Sequence, residues 1–183
     1  ISEAKALADG WFWFANLIEY VELAYDVWIK LDDRNYLKKI NAYQTEIEQV
    51  YQEYQFPDLR GRWQILQALL KAESALGMDE GDERVRLLDE SLKHFAAGYP
   101  LIAHGHVGSH GAIALQSEFK KLENVLLNLD QQQRSTWFNY LNNAWGKRPT
   151  SEELKSRQES SLLASLSRLY VKLLSSQAKG GGA

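Results

Sequence analysis

The chain has 183 residues, 45% of them hydrophobic and 25% charged, the proportions of one globular domain. It contains no cysteine, which excludes disulfides, thiolate zinc sites, iron–sulfur clusters and cysteine nucleophiles, and a disulfide-free chain of this size points to the cytoplasm. The net charge of −3 argues against wholesale electrostatic capture of nucleic acid, although the first sixty residues are acidic and those after residue 100 are basic.

The chain opens Ile1-Ser2-Glu3 without a methionine, as a piece of a longer polypeptide would. Residues 1–176 read as a single domain, and 177–183, with three consecutive glycines before Ala183, as a flexible tail or a cloning scar. The first predicted helix, Ser2 to Leu31, repeats Ala4, Leu7, Trp11, Phe14, Ile18, Val21, Ala24 and Trp28 at intervals of three and four. Glu19, Glu22 and Asp26 lie near its middle, where three carboxylates exclude a membrane span. Asp32-Asp33-Arg34-Asn35 interrupts it and supplies an N-cap for the next helix. Tyr36, Ile40, Tyr43, Ile47, Val50 and Tyr54 then form a seam suited to antiparallel packing on the preceding helix.

Phe56-Pro57-Asp58 ends the second helix, because the residue before a proline is pushed out of helical geometry. A third helix, Leu59 to Leu76, presents Trp63, Leu66, Leu69, Leu70 and Ala72 and stops at Gly77. The fourth carries Val85, Leu88, Leu92, Phe95 and Tyr99 and is predicted to end at Pro100, before the glycine-dense stretch His104 to Gly111. A fifth runs to about Leu129, and Asp130 caps a sixth that displays Trp137, Tyr140, Leu141, Ala144 and Trp145. Thr150-Ser151-Glu152-Glu153 is a capping box for a seventh. No strand pattern competes, so the expected fold class is all-α: about seven antiparallel helices, as helical hairpins stacked in a short solenoid or bundle.

Gly61 to Pro100 reads as helix, Ala75-Leu76-Gly77 turn, helix and closing proline, and this resembles a tetratricopeptide-like unit. Phe56-Pro57-Asp58-Leu59-Arg60-Gly61-Arg62-Trp63, with Leu92 to Ala103 and the later Trp137 to Trp145 pair, resembles the tetratricopeptide-like C-terminal regions of bacterial STAND NTPases and related conflict or signalling proteins. That resemblance implies a superhelical sensor or scaffold attached to an ATPase or effector elsewhere in the polypeptide.

Candidate chemistry is sparse. His104, His106 and His110 fall within seven residues and form the alternative functional reading, a metal-dependent enzyme or sensor, set against a solvated glycine-rich loop. A di-metal carboxylate centre needs paired Glu-x-x-His motifs, and Glu90-Ser-Leu-Lys-His94 is one residue too long. Gly146-Lys147 lacks the upstream glycine and strand of a P-loop, and Ser109-His110 lacks the strand–turn–helix frame of a hydrolase elbow. A nucleic-acid face drawn from Lys120, Lys121, Arg134, Lys147, Arg148, Lys155 and Arg157, with Trp137 and Tyr140 stacking, places its aromatics on the apolar stripe.

The four consecutive rings Trp11, Phe12, Trp13 and Phe14 carry more weight, since one helix face cannot bury all four. The reading that follows is a non-catalytic protein-interaction module needing no cofactor and no membrane. Its partner is a peptide or domain, and the candidate contact residues are Trp11, Trp13, Glu19, Glu22 and Asp26.

Overall fold

The computed structural model describes residues 3–33, 35–103, 118 and 120–144. Among the described residues there are six helical stretches and no strand: α1 (Glu3–Leu31), α2 (Asn35–Glu53), α3 (Pro57–Leu76), α4 (Asp82–Ala103), α5 (120–127) and α6 (Gln131–Ala144). The all-α expectation holds for these residues. The seventh helix expected from Thr150, and the tail after it, lie outside them. The chain divides into two compact units, one comprising Ile1–Leu66 with Ala97–His106, the other Gln67–Ala96 with Val107–Ala183.

In the first unit α1 and α2 form an antiparallel hairpin: Phe14 meets Tyr51 edge-on at 6.4 Å and Tyr20 stacks on Tyr43 at 5.6 Å, so partners advance in opposite directions. Asp32 makes the turn possible with a φ of 49°, the left-handed conformation that ends many helices. Asp33 then caps α2, its carboxylate accepting the Asn35 amide at 2.9 Å and its carbonyl the Tyr36 amide at 3.0 Å. Phe14, Ile18, Val21, Ile40, Ile47, Val50, Leu59 and Trp63 fill the core. Helix α3 begins at Pro57, two residues before the expected start, because proline is preorganised for the first helical position and its missing N–H has no intrahelical acceptor there.

Helix α4 also departs from expectation. It runs through Pro100 to Ala103 instead of breaking at the proline. A proline removes the bond its N–H would have donated to the carbonyl of residue 96 and crowds that carbonyl, a penalty that falls on the last turn, three residues from the end of α4. Four residues from the start of α3, Gly61 meets Gly98 of α4 at a close crossing: a Cβ on Gly98 would lie 2.8 Å from Cβ of Gln64 and 2.9 Å from the Gly61 carbonyl oxygen.

In the second unit Ser91 donates to the Ala68 carbonyl at 2.6 Å and Lys71 pairs with Glu90 at 2.9 Å, which aligns this part of α3 antiparallel to α4. Arg86 adds ion pairs to Glu83 and Glu90 on its own helix. Asp130 caps α6 as expected, accepting the Gln133 amide at 2.9 Å. Phe95 packs edge-on against Trp137 at 5.2 Å, and Leu88, Leu122, Leu126 and Leu129 complete the core around them.

Candidate protein-binding face

Helix α1 is apolar on two sides. Phe14, Leu17, Ile18, Val21, Ala24 and Tyr25 point into the first unit and are buried. A second row, Phe12, Asn16, Tyr20, Leu23, Val27 and Leu31, lies on the other side of the same helix. Phe12 is 62% exposed, Tyr20 53%, Leu23 61% and Leu31 67%, and Trp13 joins them at 44%. A surface helix ordinarily pairs one apolar stripe with a polar outer face. Here the outer face is aromatic and aliphatic, with Asp9, Glu19 and Lys30 as its exposed charges.

The five contact residues expected from sequence separate into two groups. Trp13 and Glu19 are exposed on the outer face. Trp11 is half-buried, its indole N–H donating to Asp58 Oδ2 at 3.3 Å. Glu22 faces α3, where Arg62 grips it with Nε at 3.1 Å and Nη2 at 2.7 Å from the carboxylate. Asp26 is half-buried. Their three- and four-residue spacing put Glu22 and Asp26 near Glu19, but the side facing α3 claims Glu22 for an internal ion pair. The ring cluster points to Phe12, whereas the core row alone does not point to Tyr20, Leu23 and Leu31. The signal for them is the second row at intervals 4, 4, 3, 4, 4, interleaved with the row that forms the core.

The remaining sequence expectations resolve residue by residue. Trp63 is fully buried, and its indole N–H donates to Glu48 Oε1 at 3.2 Å. Trp137 is 2% exposed and packed on Phe95, so its ring offers no base-stacking platform, while Tyr140 is half-buried with an edge-on contact to Phe95. Burial raises the Tyr140 hydroxyl above its ordinary pKa. His94 is half-buried. His104, His106 and His110 lie outside the described residues. Among the described residues no three His, Asp or Glu side chains are grouped to hold a metal ion.

Val85, expected on the core stripe of α4, is instead 51% exposed. It lines a groove of about 600 Å³ in the second unit, formed by the first turns of α4 and α6 with Glu80, Arg84, Asp89, Asp130 and Gln133. Its charged groups are of both signs, Glu80, Asp89 and Asp130 with Arg84. Beside it, Glu83 and Glu90 are held below the usual carboxylate pKa, Glu83 by its hydrogen bond to Arg86 and Glu90 mainly by Lys71. These shifts reflect a structural ladder of ion pairs.

Among the described residues no helix is long and apolar enough to cross a membrane. Comparison with known protein families, curated proteins and solved structures finds no match to this chain.

Proposed function

We propose that this chain is a non-catalytic protein-interaction module, with the outer face of α1 as its docking surface. One observation carries the reading: Phe12, Trp13, Tyr20, Leu23 and Leu31 are exposed along a single face of a helix whose opposite side is core. Contiguous apolar patches of this extent mark interaction sites on soluble chains. Aromatic side chains are the side chains that most often anchor such contacts. In this reading the helical hairpins act as a rigid scaffold or sensor, as the tetratricopeptide-like resemblance implies, and an ATPase or effector elsewhere in a larger polypeptide responds to occupancy of the face. The module needs no cofactor, and its work is non-covalent.

Site-specific photocrosslinking tests this directly. A photoreactive residue at Trp13 gives a discrete adduct to a protein, whereas one at Lys93, exposed on α4, does not. Equal or absent crosslinking at the two positions overturns the assignment of the face.

A further inference from the structure

Resting on the reading of α1 as a docking face, we propose that the protein which occupies it is a second copy of this chain, laid antiparallel across the same helix. The row Phe12, Asn16, Tyr20, Leu23, Val27, Leu31 has intervals 4, 4, 3, 4, 4, which read the same from either end. A two-fold interface requires a patch that is complementary to itself, with residue i of one copy against residue j of the other and the reverse. Antiparallel pairing about the midpoint between Tyr20 and Leu23 provides this. Tyr20 meets Leu23, Asn16 meets Val27 and Phe12 meets Leu31, each contact occurring twice.

The charges favour the same direction. Lys30 stands at one end of the exposed row and Asp9 and Trp13 at the other. Antiparallel packing about the same midpoint brings Lys30 of each copy to Trp13 of the other, with Asp9 one turn away, a cation–π and charge arrangement of matching sign. Parallel packing would set Lys30 against Lys30 and Asp9 against Asp9.

The area is sufficient. Phe12 at 62%, Trp13 at 44%, Tyr20 at 53%, Leu23 at 61% and Leu31 at 67% exposure present on the order of 600 Å² per copy, taking about 200 Å² for a large side chain. Val27, Asn16 and the Lys30 stem bring each copy close to the roughly 800 Å² per partner of a stable interface. The Tyr20–Tyr43 stack already holds the central ring in place, so little side-chain freedom is lost on pairing.

Sedimentation equilibrium of the full chain tests the proposal. The mass should rise with concentration from that of one chain to that of two, and Leu23→Glu should hold it at one chain with the helical circular dichroism signal unchanged. A single-chain mass at every concentration overturns the proposal. Because the chain has no cysteine, a second readout is clean: mix Asn16→Cys chains with Val27→Cys chains and oxidise. The expected product is the 16–27 heterodimer. Disulfides joining 16 to 16 would span about 16 Å along antiparallel helices, at 1.5 Å per residue, so they should not form. Formation of 16–16 and 27–27 products without 16–27 overturns the antiparallel arrangement. The failure of this inference is separable from failure of the docking face: a position-13 adduct to a different protein on a chain that never dimerises leaves the face standing and removes the second copy from it.

Discussion

Gly98 shows how little room the α3–α4 crossing leaves. A methyl group there would meet Cβ of Gln64 at 2.8 Å, the Gly61 carbonyl oxygen at 2.9 Å and the Ile65 amide nitrogen at 3.2 Å, two of the three being backbone that a rotamer change cannot clear. Overpacking of this kind costs about 1–3 kcal/mol, against about 0.5–1 kcal/mol returned by alanine's better helix propensity. Gly98→Ala should therefore lower stability by about 1–2 kcal/mol, read as a lower urea midpoint with an unchanged slope. Trp63 and Trp13 make the opposite pair of cases. Trp63 is fully buried with its N–H on Glu48, so Trp63→Ala should cost about 3–5 kcal/mol. Melted at concentrations too low for two copies to pair, Trp13→Ala should cost under about 0.5 kcal/mol, since Trp13 is 44% exposed. It should instead weaken whatever binds the face. Equal losses in the two melts would place Trp13 in the core and remove it from the docking surface.

At the scale of elements, helix ends are set by single side chains and helix pairs by short polar ladders. The ladder in the second unit runs Lys71, Glu90, Arg86, Glu83, joining α3 to α4 across the first link. Glu90 and Glu83 are held below 4.5 in the folded chain by these cations. A depressed folded pKa means that the ion pairs contribute their full stability above the unfolded carboxylate value and lose it as pH falls through the folded one. Stability should accordingly decline from about pH 4.5 downward. Glu90→Gln removes the shared carboxylate and should flatten that decline. Solvent screens these exposed pairs, so the gap in Tm between pH 6 and pH 3.5 should shrink by only about 1–2 °C. An unchanged gap would assign the acid sensitivity to other carboxylates.

Over the whole molecule, what the sequence makes legible follows from how many physical demands each residue meets. Helix starts were readable where one side chain does one local job: Asp33 and Asp130 both accept backbone amides as their positions predict. The core was readable where a single period runs unchallenged, as through Ile40, Ile47 and Val50. The end of α4 was misread, because a proline signals a break only when its missing donor or its ring cannot be tolerated, and Pro100 lies inside the helix. Glu22 was misjudged for a related reason. Spacing places it beside Glu19 and Asp26, but only tertiary packing reveals Arg62 8% exposed on the facing helix, with its guanidinium fixed on that carboxylate. The outer face of α1 was half legible, since Trp11 to Phe14 announced too many rings for one stripe without saying which would stay outside.

That division among the rings has a spectroscopic consequence for the molecule as a whole. Of the described indoles, Trp63 and Trp137 are buried, Trp11 and Trp28 half-buried, and Trp13 alone is exposed. Collisional quenching by acrylamide reaches a ring in proportion to its contact with solvent. Trp13→Phe should thus remove a larger share of the quenchable emission than Trp63→Phe, while Trp63→Phe should remove more of the blue-shifted, protected emission and also forfeit the bond to Glu48, at a cost of about 1–2 kcal/mol. If pairing through α1 occurs, raising the protein concentration should protect the Trp13 contribution and leave the others unchanged. In a chain that sediments as one copy, a quenchable fraction that is indifferent both to Trp13→Phe and to concentration would mean that this ring is covered within that chain, and the outer face of α1 would then be part of the fold.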